Sequence, residues 1–416
     1  MHKKSDVDVV VIGGGAAGMI AAGRAAERGR RVLLLEKNPS LGKKLLITGG
    51  GRCNVTNNKP EVRTMLARYK KSDKFLFSAF TQFGVAKTLD FFHTRGMATH
   101  EEAEGRVFPA SNKSQSVYDV LVKYMEEGNV KIQTKAKVAG IAFDKSSEEI
   151  VITLADKSEI RTQSCIVASG GISRPETGST GDGFSWLQKL GHTVVPNDMA
   201  LVPIALKDAW IKKCAGVALS AVKLTTFQKG KKQKVYLGKM LFTHVGISGP
   251  MVLNMSRDIG VLLEYEEDVM IMLDIFPSLD IGSLREKLQT ILISDSNKKI
   301  KNVLSLIIQP ALVLPLLALA GIDGETPSHS MRSLERKALT SLLKEVPLHI
   351  LGLLGKDKAI ISSGGVELSQ IDFKTMQSRV IPRLYIVGDM LNIDRPSGGY
   401  SLQLCWTTGY IAGSNC

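Results

Sequence analysis

Residues 9–18 read VVVIGGGAAG, and this stretch limits the fold more than any other. Four apolar, β-branched residues stop at glycine, and small alanine-rich residues run on to 28. A buried strand over 7–12, a tight turn and a helix over 16–28 are predicted, with a second buried strand over 31–36, RVLLLE. Strand, helix and strand at this spacing make a βαβ unit, which requires a parallel sheet. The glycines follow G-x-G-x-x-G: Gly13 permits the turn, Gly15 lets backbone approach a pyrophosphate, and Gly18 lets the helix pack on the strand. The helix N-terminus would offer free N–H groups and a partial positive charge to phosphates. Glu36 ends the second strand, where a carboxylate accepts from ribose hydroxyls and repels a ribose phosphate. The ligand class is therefore FAD or NAD, not NADP.

The rest of the chain predicts a domain split in sequence. A helix is expected over 115–127, capped by Ser114 or Ser116, then strands over 150–154 and 159–168. Near Pro196 the texture changes. Strands are expected over 201–206 and 217–242, with KGKKQK (229–234) as a lysine-rich hairpin tip, then helices over 283–293, 301–322 and 329–344. Strand-and-glycine texture returns near 360, with RLYIVGD (383–389) and a closing helix over 401–413. The expected fold class is α/β: a Rossmann-like FAD-binding domain, split as 1–195 and 357–416, with an inserted β-barrel-like plus helical domain over 196–356. Its β part is placed at about 196–277 and its helical part at about 278–350.

With 416 residues, two or three domains are expected. The apolar run 303–322 has the length of a membrane span, but it holds Pro310, Pro315 and Gln309 and lies between polar helices, so a buried or lid-forming helix pair is expected instead. The N-terminus lacks a signal-peptide pattern. Cys53, Cys165, Cys214, Cys405 and Cys416 are odd in number and form no C-x-x-C pair, which excludes a disulfide framework and a zinc site and suits a reducing, cytoplasmic compartment. The net charge of +14 favours anionic partners without saying which.

Two later strand–glycine junctions, VASGG (167–171) and VGD (387–389), resemble strand ends of the two-dinucleotide-binding flavoproteins. TGGGRCNVTN (48–57) is similar to the S-G-x-G-R-C-N-x-T-N signature of the BaiN-like flavoproteins, a family with bile-acid reductases and aminoacetone-oxidase-like members. GRVFPASNKS (105–114), ASGGISRPETGSTGDG (168–183), LFTHVGISGP (241–250) and GDMLNIDRPSGGYSLQLCWTTGYIAG (388–413) agree with it in order. Two departures stand out: Ser401 replaces the asparagine of G-G-Y-N-L-Q, and Thr48 stands where serine is commoner.

The resemblance implies FAD, with Asp389 on the ribityl hydroxyls. At the first turn it implies contacts from Gly13, Gly15, Ala16, Ala17, Gly18, Glu36, Lys37 and Lys43. In the second glycine run, Gly49, Gly50 and Gly51 would let backbone approach the flat isoalloxazine, while Thr48, Arg52 and Asn54 offer donors. Cys53 is either a redox thiol or, preferably, a small buried residue. Val138, Ser169, Gly170, Gly171, Gly388, Gly399, Tyr400, Ser401 and Leu402 complete the expected cofactor contacts. Lys44 reads as cofactor-facing charge or solvated surface. Tyr400 and His244 are the candidate proton donors; for His244 the competing reading is a bond that fixes a turn.

The expected activity is hydride exchange between flavin and an organic substrate, with NADH or NADPH as transient reductant. If the 303–322 run faced the flavin, it would offer an apolar surface suited to a steroid-like enone rather than a small amine. The alternatives are an amine oxidase, a flavoprotein acting on RNA, and a flavin-binding partner without turnover. RNA is the disfavoured alternative, because no aromatic-rich basic stretch is present to stack bases.

Overall fold

The computed structural model describes residues 7–196, 202–265, 269–354 and 364–416. The chain separates into two compact units, Met1–Ala200 with Ile360–Cys416, and Leu201–Ala359.

The first unit is built on a five-stranded parallel sheet. In chain order its strands are β1 (Val9–Ile12), β2 (Val32–Leu35), β3 (Lys131–Gln133), β4 (Ser164–Val167) and β5 (Leu384–Ile386). Their spatial order is β5–β4–β1–β2–β3, with Val9 beside both Val32 and Ser164. All four residues of β1 are buried, as a parallel strand covered on both faces requires. Helix α1 (Ala16–Glu27) follows β1, the short helix α2 (Lys43–Ile47) lies beyond β2, and α3 (Tyr400–Asn415) closes the chain. Small residues set the spacing of α1 and α3: a Cβ at Gly409 would lie 2.5 Å from the Ala17 carbonyl oxygen, and one at Gly413 2.4 Å from that of Ala21. The strand order reverses between β4 and β1, which opens a crevice beyond their carboxyl ends.

The helix expected over 115–127 runs Ser114–Glu127, but neither serine caps it. Lys113 occupies the cap position; Ser114 is already the first helical residue, and its hydroxyl donates to the Leu46 carbonyl (2.6 Å).

The second unit is a closed antiparallel barrel in the order Ile204–Leu206, Gly246–Ser248, Lys231–Thr243, Ala218–Gln228, Val269–Asp274 and Val346–Leu353. Lys229 and Gly230 join the two longest strands with φ of +49° and +70°, the two-residue turn that matches strand twist. Two expectations fail here. A helix, Pro250–Tyr265, interrupts the stretch read as β, and the stretch read as helical ends in the barrel strand Val346–Leu353. The stretch 301–322 is the helix pair expected of its apolar run. It forms Ile300–Leu304 and Pro310–Leu319, because Pro310 starts a new helix instead of continuing the old one. Val303, Leu304, Leu312, Val313, Leu316 and Leu317 are buried in this unit's own core. Among the described residues, no helix is long and apolar enough to cross a membrane.

Candidate cofactor site

The crevice is assembled from four segments that leave the sheet at its carboxyl edge. The first is the turn into α1. Gly13 has φ +107°, and a Cβ there would meet the Ala168 carbonyl oxygen at 2.6 Å, so only glycine lets this turn lie against the end of β4. A Cβ at Gly18 would fall 1.8 Å from the Gly13 carbonyl oxygen, which fixes how closely α1 packs on the turn. Gly15 differs: a Cβ there meets nothing within 4 Å. It is also the N-cap of α1, and no side chain accepts from the helix N–H groups. Open space in front of uncapped N–H groups suits a diphosphate. Ala16 is half-buried beside it, and buried Ala17 lies under Gly388, whose Cβ would come within 3.1 Å of the alanine Cβ.

Buried Glu36 organises the second segment. Its carboxylate accepts from the Gly14 N–H (2.8 Å) and from the Asn38 N–H and side-chain amide (2.8 Å each). Each carboxylate oxygen has about two acceptor sites, so capacity remains for ribose hydroxyls. The Ala136 N–H donates to the Glu36 carbonyl, which places buried Val138 two residues beyond this edge. The ammonium of Lys37 turns away to Thr180 (2.6 Å) and Asp182 (3.0 Å); Lys43 is half-buried at the start of α2.

The second glycine run is an exposed loop. Gly49, Gly50 and Gly51 have φ of +56°, +70° and +84°, and a Cβ on Gly50 or Gly51 would meet nothing. Backbone of this shape next to empty space fits a flat ring. The side chains around it do not serve as expected. The Thr48 hydroxyl donates to the Leu45 carbonyl (2.6 Å), and Arg52 pairs with Glu102, donates to Asn112 (2.9 Å) and lies over the Phe108 ring. The Asn54 amide donates to the Val107 and Thr56 carbonyls and accepts from the Gly399 N–H. All three hold the loop in shape, so its backbone is what it offers a cofactor.

Cys53 is fully buried, and burial pushes its thiol up to about 12 despite a bond with Thr48. Burial also pushes Cys405 up to about 12, Cys416 up to about 11, and raises Cys165 and Cys214. Thiolate is the reacting form. The native protein is therefore expected to leave a thiol reagent unreacted for minutes at pH 8, and to titrate five thiols in guanidinium. Fast labelling of one native thiol would show an accessible thiolate.

The last segments are the ends of β4 and β5. Ser169 donates to the Met390 sulfur (3.2 Å), Gly170 has φ +77°, and Gly171 is buried behind it. Gly388 has φ +64° and leads into Asp389, whose two oxygens pair with Lys44 (2.8 Å) and Arg395. Burial alone would raise the Asp389 carboxyl, but Lys44 and Arg395 outweigh it and hold the group at about 2. The gap from its ordinary 3.8 is worth roughly 2 kcal/mol of stability. A depressed carboxyl contributes above its unfolded value and loses the contribution as pH falls through its folded one. Melts from pH 7 to pH 2 should thus show a wild-type loss below about pH 4 that Asp389→Asn lacks; parallel curves would contradict this pairing.

Gly399 (φ +97°) caps α3 against the Thr56 backbone, with half-buried Ser401 and Leu402 in the first turn. Tyr400 is 5% exposed and packs edge-on against Tyr69, whose hydroxyl donates to the Tyr400 carbonyl. Burial raises its phenol, so it stays protonated at neutral pH. His244 belongs to the second unit. It is exposed in the two-residue turn between Lys231–Thr243 and Gly246–Ser248 and has no partner among the described residues. The sequence reading missed Arg395; its signal was the one basic residue between Asp389 and the Gly398–Gly399 turn, six residues past Asp389.

The family model for the HI0933-like protein Rossmann domain matches residues 7–415. The chain belongs to this family. HI0933-like proteins of this kind are FAD-dependent oxidoreductases, and the crevice fits that cofactor: open backbone at two glycine runs, a free helix N-terminus, one carboxylate at the end of β2 and a charged cluster after β5. The chain is 31% identical to the 3-dehydro-bile acid delta(4,6)-reductase of Clostridium scindens, over 97% of each chain. It is 29% identical to the ribosomal RNA dihydrouridine synthase of Escherichia coli, over 97% of this chain and 96% of that one. In fold it is similar to the 3-ketosteroid delta1-dehydrogenase of Sterolibacterium denitrificans, with a TM-score of 0.56, 12% identity and 98% of each chain covered.

Proposed function

We propose that this enzyme reduces a C=C bond conjugated to a carbonyl, and that its substrate is a uracil base within RNA. Both relatives' names describe the same chemistry. A delta(4,6) 3-dehydro bile acid has C=C bonds conjugated to a 3-oxo group, and forming dihydrouridine saturates the C5=C6 bond conjugated to C4=O. Bound FAD would supply the hydride for the β-carbon of such a system. The chain's own groups do the rest. Gly15 and the α1 N-terminus would hold the diphosphate, Glu36 the adenosine ribose and Asp389 the ribityl chain. The backbone of Gly49–Gly51 would offer the ring its open face, and Tyr400 would keep a phenolic proton for the α-carbon. Each turnover consumes two electrons, which NADH or NADPH returns.

The observation that carries the choice of RNA is the barrel hairpin 218–243, which has six lysines and no acidic residue. Lys231, Lys232 and Lys239 are exposed on it and have no acidic partner among the described residues, whereas Lys223 and Lys234 pair with Asp274 and Asp258. Unneutralised cations on an exposed arm suit a phosphate backbone. The 303–322 run fills the second unit's own core and so is not free to offer an apolar substrate surface. A steroid enone stays the second reading, favoured by the 31% relative.

The test is binding of a ribosomal RNA fragment as salt rises from about 50 to 200 mM, over which phosphate contacts lose affinity steeply. The triple change Lys231→Glu, Lys232→Glu, Lys239→Glu is expected to weaken binding more than tenfold. It should also flatten the log–log salt slope by roughly 0.7–0.9 per lysine. Unchanged affinity and slope would remove the hairpin from the account.

A further inference from the structure

Three charged groups meet where the chain leaves β5: the carboxylate of Asp389 and the cations of Lys44 and Arg395. One carboxylate stands against two cations, and among the described residues neither cation forms an ion pair with a second carboxylate. Arg395 is the deeper of the two, its side chain 1% exposed against 28% for Lys44. Its donors go in three directions: Nε to the Ser401 hydroxyl (3.0 Å), one terminal nitrogen to the Ile393 carbonyl (2.6 Å), the other to Asp389. A buried cation that local anions do not fully neutralise is costly. The first turn of α3, where Ser401 sits, adds the positive end of a 16-residue helix. The local field therefore favours an incoming negative charge.

We infer that Arg395 is a positioning residue for the flavin: it ties the Asp389 carboxylate to Ser401 at the start of α3, and it holds one excess positive charge beside the negative charge that FAD gains on reduction. This rests on the FAD assignment above. Two electrons and one proton taken up by neutral flavin leave it with one negative charge. A cation fixed in a low-dielectric site stabilises that charge more than water does, so Arg395 raises the two-electron potential. The hydroxyl of Ser401, in place of the asparagine of the resembled motif, is the group that receives the Arg395 Nε–H.

The test is the midpoint potential of FAD-loaded wild type, Arg395→Met and Arg395→Lys, titrated with dithionite against a reference dye. Arg395→Met is expected to shift the oxidised-to-reduced ratio at fixed potential about tenfold toward oxidised flavin, equal to about 30 mV for two electrons. Arg395→Lys, which keeps the charge, should recover most of that shift. A change below about threefold in the methionine variant, with FAD bound, overturns the inference. If that variant fails to fold or to hold FAD, Lys44→Met, on a partly exposed side chain, decides by the same criterion. Wild type without FAD would defeat the cofactor assignment itself, whereas FAD retained with an unmoved potential defeats only the role of Arg395.

Discussion

Gly15→Val is expected to leave the chain folded and to strip it of FAD, while Gly18→Ala, three residues on, is expected to cost the fold itself. The two glycines share one motif but face different things. A Cβ at Gly18 would sit 1.8 Å from the Gly13 carbonyl oxygen, a backbone atom that cannot swing aside. Helix α1 would have to lift off the turn, and with it the packing of Ala17 and Ala21 against α3. Overpacking of this kind costs roughly 3 kcal/mol or more. At Gly15 the backbone has φ −85°, which valine accepts, and there is no neighbour for its Cβ. The valine methyls would instead occupy the volume assigned to the diphosphate. A loss of FAD affinity of at least about a hundredfold, or roughly 3 kcal/mol, is expected. Thermal melts and the 450 nm absorbance of the purified variants separate the cases. FAD at full occupancy in Gly15→Val would mean that this turn does not hold the diphosphate.

The parts of the site that sequence made legible are those whose requirement is local. Gly13 and Gly18 must be glycine because of atoms within a few residues or at the next strand end, and a fixed spacing shows that. The run VVVI declares a doubly covered strand by composition alone. What stayed hidden was partner choice across long separations. Arg52 has the residue type of a cofactor donor, yet Glu102 and Asn112, fifty and sixty residues away, take its guanidinium. Nothing local marks the role of Arg395, whose partners Asp389 and Ser401 are brought around it only by β5 and α3. The same limit explains the barrel. Val346–Leu353 follows a helix and reads as its continuation, but pairing with Val269–Asp274, more than seventy residues earlier, makes it a strand. Ser114 failed as a cap for a similar reason, since the Leu46 carbonyl competed for its hydroxyl.

The central claim is that reduced enzyme passes its electrons to a conjugated C=C in RNA. Anaerobic stopped-flow measures this directly: photoreduced, FAD-loaded protein is mixed with unmodified ribosomal RNA transcript and, separately, with a steroid enone, while flavin absorbance is followed and the RNA is digested for dihydrouridine. A parallel syringe mixes oxidised protein with aminoacetone. The expected result is flavin reoxidation by RNA without oxygen, with one dihydrouridine formed per flavin reoxidised, and no bleaching by the amine. Flavin that stays reduced with RNA while the enone reoxidises it would contradict the RNA substrate, and bleaching by the amine alone would contradict the reductase.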